Sequence, residues 1–187
     1  ALVPMSLVML LLWIRQVTTL NAGTVDVAWA YGTGAVGAWF ALAGDGQFTE
    51  RQYLVAALSL AWGIRLGYYL QRRVGSESED GRYRYLREYL GSKAQPFYFV
   101  FYQVQASWTL LFALPMWAAA NGTAVALGLM DGLGFAIWVL AIAGERSADN
   151  QLALFRSNPA HKGMVCNVGW WRWSRHPNYF FEWLHWF

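Results

Sequence analysis

A polar segment near the end of the chain carries residue types that suit the binding of an anion. Residues 169–182 read GWWRWSRHPNYFFE, with two arginines, a histidine and an asparagine before or at the start of an apolar run. Proline is favoured at the first position of a helix, and the residue before it tends to be extended. We therefore predict a turn over residues 172–176 and a helix that begins at Pro177. The N–H groups at that helix end, with two guanidinium groups, would suit a phosphate.

This segment has two interpretations. Arg172 and Arg175 could serve only to keep the loop on the cytoplasmic side of a membrane. That role does not require the polar residues that follow, namely His176, Asn178, Tyr179 and Glu182. Because Glu182 follows Asn178 by one helical turn, the set is more typical of a ligand site.

A second polar group follows a predicted membrane helix. Glu145 and Asp149 are one helical turn apart and Arg156 lies two turns further on, so the three share a face. This face could be a helix end that leaves the membrane, with Arg146 paired to Asp149 or Asn150. Alternatively, it faces the interior of a bundle, where the carboxylates accept from ribose hydroxyls or a nicotinamide amide and Arg156 holds a phosphate. Ionisable groups at membrane depth are costly and by default indicate a functional site.

Asp26 is a third candidate, with Trp29 about one turn later in an apolar run. Burial raises the pKa of a lone carboxyl, which then stays protonated near neutral pH and donates to a carbonyl oxygen. An aspartate at a helix N terminus is the equally supported alternative. Arg65, embedded in another apolar run, needs a partner, which is either Asp26 or a cofactor phosphate.

The remaining motifs are less specific. Residues 79–83, EDGRY, read most simply as a solvated charged turn, and alternatively as a cap over the cytosolic mouth of a cofactor pocket. The histidines, His161, His176 and His185, lack metal-ligand spacing, and neither a P-loop nor a G-x-G-x-x-G motif after a strand is present. A dinucleotide would therefore not be held on a Rossmann fold.

The elements that position these residues are predicted to be membrane helices. The chain is 57% hydrophobic and only 13% charged, whereas soluble domains carry roughly 25% charged residues. Its net charge is +3, and its 14 lysines and arginines fall mostly between apolar runs. This pattern indicates membrane topology and argues against nucleic-acid binding. The single cysteine, Cys166, excludes an internal disulfide.

Six apolar segments lead us to predict an all-α, polytopic membrane helix bundle that forms one domain over residues 1–187. The segments cover residues 2–14, 24–43, 52–70, 97–120, 124–144 with a helix running on to 155, and 177 onward; turns are predicted at 44–50 and 121–123. The basic loops at residues 72–95 and 156–176 would lie in the cytoplasm, with the N terminus outside. Too few residues follow Pro177 to span a bilayer, which needs about 20 in a helix. We therefore expect the natural protein to continue beyond Phe187, with a seventh segment, and to begin before Ala1.

With these residues in order, the chain resembles the steroid 5α-reductase family, especially its bacterial members of unassigned substrate. The resemblance covers nearly the whole length and is carried by Val25, Asp26, Trp29, WGIRL at 62–66, Glu79, Asp80, Arg82, Tyr83, Gln103, Glu145, Asp149, Gln151, Phe155, WR at 171–172, RHPNY at 175–179 and Glu182. The RHPNY segment alone is less specific. Sterol C14 reductases and isoprenylcysteine or phospholipid methyltransferases carry similar segments.

The resemblance implies a seven-helix membrane reductase that holds NADPH in its cytosolic half and takes a steroid enone from the lipid. By position it implies cofactor contacts for Glu145, Asp149, Arg156, Lys162, Arg172, Arg175, His176, Asn178, Tyr179 and Glu182. Asp26 would be the carboxyl that meets the substrate ketone and Tyr68 the tyrosine beside it, both catalytic. Trp29 and Trp62 would line the substrate-binding site. Two positions depart from the family, since Glu145 replaces the amide of the animal enzymes and Phe181 replaces a usual glycine. The family's last helix region, which supplies further cofactor contacts, would follow Phe187.

Three hypotheses follow. We expect an NADPH-dependent oxidoreductase, in a bacterial inner membrane with its cofactor site facing the cytoplasm, that transfers hydride to the β-carbon of a 3-oxo-Δ4 steroid or similar lipophilic enone. A protonated Asp26, helped by a tyrosine, would donate to the ketone oxygen. The alternative enzyme is a membrane S-adenosylmethionine-dependent methyltransferase of the isoprenylcysteine or phospholipid type, whose cofactor lacks the phosphates that would need Arg156. The third is a lipid-binding or scaffold protein whose polar residues only join helices.

Overall fold

The computed structural model describes residues 1–43, 49–76, 78–122 and 126–186. Regular secondary structure within these ranges is entirely helical, which confirms the predicted all-α fold. The α-helices are α1 (Leu2–Thr19), α2 (Thr24–Ala41), α3 (Glu50–Ser76), α4 (Gly81–Leu90), α5 (Ala94–Ala120), α6 (Leu129–Ser157) and α7 (Pro177–Leu184). Short 3-10 helices cover Gly91–Lys93, Pro159–His161 and Gly169–Arg172.

Three helical stretches within the described ranges are long and apolar enough to cross a membrane. They are Leu2–Thr19, Glu50–Ser76 and Gly81–Ala120, the last of which contains both α4 and α5. The chain is therefore a membrane protein, as its composition predicts. The six-segment topology and its orientation stay a prediction.

Two helix boundaries agree with the sequence. α6 runs without a break past Glu145 to Ser157, and α7 begins at Pro177. Residues 44–48 of the first predicted turn and residue 123 of the second lie outside the described residues. So do residues 124 and 125 at the predicted start of the fifth segment.

The prediction of a long polar loop over residues 72–95 is wrong. α3 continues to Ser76, α4 covers Gly81–Leu90, and α5 begins at Ala94. The Asp80 carboxylate accepts a hydrogen bond from the backbone N–H of Arg82 at 2.9 Å and so caps α4. Tyr83 on α4 is buried. The Asp80 cap and the burial of Tyr83 thus stabilise α4, although its many charged residues are typical of a loop.

The chain divides into two compact units, Ala1–Ala126 and Leu127–Phe187, while its description as a single domain stays a prediction. In the first unit α2 packs against α3 and α5, and α1 packs against α5. α2 and α3 approach closely at Gly34 and Gly63, where a Cβ on Gly34 would lie 2.8 Å from the Gly63 Cα. Small residues allow such close approach between membrane helices.

Two tyrosines of α5 fix the starts of α2 and α4. The Tyr102 hydroxyl donates to the Ala22 carbonyl at 3.0 Å, and the Tyr98 hydroxyl donates to the Tyr83 carbonyl at 2.6 Å. Both tyrosines are fully buried. Because a buried hydroxyl needs a partner, these bonds hold the residues before α2 and the first turn of α4 against one helix.

In the second unit α7 packs against α6. The ring of Phe181 lies over Gly144, where a Cβ on the glycine would collide with it. Trp170 meets the same ring edge to face, with centroids 5.2 Å apart. Phe181, which departs from the glycine of the resembled family, is therefore accommodated because Gly144 has no side chain.

Candidate functional site

Asp26 meets a tyrosine and an arginine where α2 and α4 begin. The Tyr83 hydroxyl donates to Asp26 Oδ1 at 2.7 Å. Asp26 Oδ2 lies 3.6 Å from Arg82 Nη2. Asp26 is thus not a lone carboxyl, and it lies in the first turn of α2, as the alternative interpretation predicts. A carboxyl, a phenol and a guanidinium group in contact can donate a proton or a hydrogen bond to a substrate oxygen.

The tyrosine beside Asp26 is Tyr83, so the prediction of Tyr68 for that place is wrong. Tyr68 lies on α3, is 57% exposed, and has the Arg72 guanidinium over its ring at 6.0 Å. Tyr83 is only 5% exposed. Tyr83 lies beside Asp26 because the residues interpreted as a loop form α4. The first turn of this helix places Tyr83 at the start of α2.

Asp80 orients Arg82. Its carboxylate lies 3.1 Å from Arg82 Nε and 3.0 Å from Arg73 Nη2. The hydrogen bond from the Arg82 side chain is the main cause that lowers the pKa of Asp80, so this carboxyl is ionised at neutral pH. Arg82 is therefore shared between Asp80 and Asp26.

The EDGRY segment is not the solvated turn of the simpler interpretation. Glu79 accepts from Arg87 Nη2 at 2.7 Å and Nε at 3.3 Å, and also from the Ala22 N–H at 2.9 Å. Arg87 donates in turn to Gln16 Oε1 at 3.2 Å, and Gln16 is fully buried on α1. Glu79 and Arg87 thus join α1, the link before α2, and α4. The sequence did not indicate this network, because Gln16 follows the predicted first apolar segment and becomes part of α1 only in the structure.

Trp29 and Trp62, the predicted substrate residues, lie together in the first unit. Their rings meet edge to face with centroids 6.0 Å apart, and Trp29 meets Phe112 in the same way at 5.5 Å. Trp29 Nε1 is buried and has no acceptor in the described part of the chain. A buried donor without a partner is rare, and this one lies about one turn beyond Asp26.

The predicted cofactor residues of α6 and α7 meet at Asp149. Asn178 Nδ2 donates to Asp149 Oδ1 at 3.1 Å. Asn178 Oδ1 is buried without a partner among the described residues. Glu145, one turn before Asp149, is 7% exposed, and Glu182 on α7 is half-buried. Arg146, which the simpler interpretation pairs with Asp149 or Asn150, is exposed.

The segment before α7 is fastened to α6 through two tryptophans. The Trp170 N–H donates to Gln151 Oε1 at 2.8 Å, and Trp171 Nε1 donates to the Ala148 carbonyl at 2.8 Å. Gly169 has φ 54°, a conformation that favours glycine. These contacts hold residues 170 and 171, which precede the RHPNY segment, against α6.

The predicted basic residues of this unit lie at its surface. Those that are exposed and form no ion pair within the described residues are Arg156, Lys162, Arg172 and Arg175. His176 and Tyr179 are also exposed, and their rings stack with centroids 5.3 Å apart. Cations without carboxylate partners are available to bind an anion, whereas Glu145, Asp149 and Asn178 are more deeply placed.

Comparison with known proteins gives a family but no activity. Residues 12–187 match the family described as a protein of unknown function, DUF1295. An uncharacterized protein of Schizosaccharomyces pombe is 27% identical over 200 residues, which cover 94% of this chain and 58% of the yeast protein. The chain therefore spans just over half the length of that curated relative. No solved structure matches it. Because the family match extends over most of its length, the chain belongs to the DUF1295 family.

Proposed function

We propose that the chain reduces the C=C bond of a lipophilic enone, a 3-oxo-Δ4 steroid or a molecule of similar shape, with NADPH as the hydride source. The observation that carries the proposal is the hydrogen bond between Tyr83 and Asp26 beside Arg82. Addition of hydride to the β-carbon of an enone builds negative charge on the ketone oxygen, and the α-carbon then takes a proton to give the saturated ketone. A protein that catalyses this reaction must aim donors at that oxygen.

Asp26 and Tyr83 have complementary roles in this proposal. Asp26 in its protonated form donates to the ketone oxygen, while Tyr83, whose hydroxyl donates to the same carboxyl, fixes its orientation. Arg82 beside them favours the negative charge that remains after a proton is given up. The role that the sequence predicts for Tyr68, as the tyrosine beside Asp26, is thus proposed for Tyr83.

The aromatic residues near Asp26 support an apolar substrate. Trp29, Trp62 and Phe112 meet edge to face, and such rings pack well against a flat hydrocarbon skeleton. The unpartnered indole N–H of Trp29 is available to an acceptor on a ligand. An aromatic, apolar lining with few polar groups suits a rigid, apolar molecule with one ketone.

The second unit has donors and acceptors that fit NADPH. Asn178 Oδ1, an acceptor without a partner in the described residues, lies with Asp149 where ribose hydroxyls or a carboxamide would find acceptors. The exposed cations Arg156, Arg172 and Arg175 suit the phosphates. When bound, NADPH supplies the hydride that goes to the β-carbon. By the positive-inside rule we place these cations on the cytoplasmic side of a bacterial inner membrane.

A titration of the purified protein in detergent tests the cofactor. A ligand that binds only the folded state raises the apparent melting temperature by mass action. We expect stabilisation by NADPH, less by NADH, and none by S-adenosylmethionine. Stabilisation by S-adenosylmethionine alone would contradict the reductase and favour a methyltransferase. No stabilisation by any of the three ligands would favour a scaffold or lipid-binding protein.

A pair of matched variants locates the binding. Arg172→Gln should weaken NADPH binding about tenfold, because a charge-assisted hydrogen bond to a phosphate is lost. Arg84→Gln removes the same charge from an exposed position on α4 and should leave NADPH binding unchanged. Equal effects of the two variants would mean that NADPH binding depends only on the net charge of the protein.

A further inference from the structure

A groove in the first unit runs between α1 and α3 over the start of α2. Its volume is about 640 Å³, within the range of about 300–1,000 Å³ typical of ligand pockets. The apolar part of its lining is formed by Leu12 of α1, Val27 and Ala28 of α2, and Val74 of α3. α1 and α3, which form the two walls of this groove, both belong to the candidate membrane spans.

The polar groups along the groove include a guanidinium group, two amides and two threonine hydroxyls. Arg15 lies in the lining, is exposed, and forms no ion pair in the described part of the chain. Gln71 Oε1 accepts from the Tyr31 hydroxyl at 3.0 Å, and Asn21 Oδ1 accepts from the Gly23 N–H at 3.0 Å. Their NH2 groups are therefore the ends left for a ligand.

The charge of the groove selects among lipids. The lining residues that the structure describes include one cation and no carboxylate. An anionic phosphodiester matches a guanidinium group flanked by amide donors. The quaternary ammonium of a zwitterionic headgroup would instead lie near Arg15 without a carboxylate to balance it.

We propose that this groove binds one anionic phospholipid, with its phosphate at Arg15 and part of an acyl chain along Leu12, Val27, Ala28 and Val74. Basic pockets between membrane helices bind anionic headgroups in this way. This lipid site lies in the first unit, and its proposal does not depend on enone reduction.

Native mass spectrometry of the purified protein tests the site, with phosphatidylglycerol and phosphatidylcholine of identical acyl chains added in turn. We expect one phosphatidylglycerol to bind in preference to phosphatidylcholine. Arg15→Gln should weaken phosphatidylglycerol binding about tenfold and abolish the preference. Arg84→Gln, an exposed cation outside the groove, should keep wild-type binding.

A second variant tests the apolar part of the groove. A Cβ on Gly75, which also lines it, would meet nothing within 4 Å, so Gly75→Leu adds a bulky side chain to the lining without a local clash. We expect this variant to lose phosphatidylglycerol even if Arg15→Gln cannot be purified. Equal binding of both lipids by the wild type, equal losses in Arg15→Gln and Arg84→Gln, or wild-type binding by Gly75→Leu would each overturn the proposal.

Discussion

The Tyr83 hydroxyl donates to the Asp26 carboxylate at 2.7 Å across 57 residues of sequence. Each residue lies in the first turn of its helix, and α5 holds both helix starts through the hydroxyls of Tyr98 and Tyr102. A carboxyl that can donate to an oxygen and the tyrosine that orients it are therefore preorganised by the packing of three helices. Preorganisation of this kind is what an acid or oxyanion-stabilising site requires.

The network around Glu79 should be important for stability. We predict that Glu79→Gln lowers the free energy of unfolding by about 2 kcal/mol, because it removes charge-assisted hydrogen bonds from Arg87. Both side chains are shielded, with exposures of 19% for Arg87 and 9% for Glu79. Chemical unfolding in detergent measures the loss. Glu88→Gln changes an exposed residue of the same helix and should alter stability by less than about 0.5 kcal/mol; equal losses would contradict the role of Glu79.

The contact between Gly144 and Phe181 should be sensitive to added volume. We predict that Gly144→Ala destabilises the chain by about 1–3 kcal/mol, because its methyl group would enter the Phe181 ring. Gly132→Ala on the same helix meets nothing within 4 Å and should stabilise it by up to about 1 kcal/mol.

Thermal unfolding of the double variant separates steric crowding from helix propensity. With Phe181→Ala in the background, Gly144→Ala should cost less than it does alone, since the ring that it strikes has gone. Additive losses would show that Gly144 is required for another reason.

Acid should weaken the start of α4. The hydrogen bond from Arg82 lowers the pKa of Asp80, so its contribution to stability is present above the unfolded pKa of about 3.9 and is lost as the pH falls through the folded value. We therefore predict that the melting temperature drops below about pH 4 in part through Asp80. Asp80→Asn keeps an N-cap residue and should flatten that part of the pH profile. An unchanged acid slope would contradict the assignment.

Local signals were sufficient for some elements. Proline at 177 predicts the start of α7, and the spacing of Glu145 and Asp149 predicts a helix that continues past the apolar run, because both follow from backbone geometry. Composition alone identifies a membrane protein. The meeting of Asp149 and Asn178 agrees with their predicted membership of one site, although their role towards a cofactor stays a prediction.

Tertiary packing decided the rest. Tyr83 is not an evident partner of Asp26 until α4 is known to be a helix, because the charges around Tyr83 resemble those of a solvated loop. The local signal was Asp80, an N-cap residue directly before Gly81. The burial of Glu79 could not be predicted in the same way, since it depends on Arg87 and on the backbone of Ala22, which is distant in sequence.

The measurement that tests the central claim most directly is the consumption of NADPH by the purified, reconstituted protein in the presence of a 3-oxo-Δ4 steroid. We predict steroid-dependent turnover in which Tyr83→Phe and Asp26→Asn each lose roughly 10²-fold in rate. Tyr68→Phe should retain the wild-type rate. Absence of steroid-dependent turnover in the wild type, or a Tyr83→Phe variant as active as the wild type, would contradict the account.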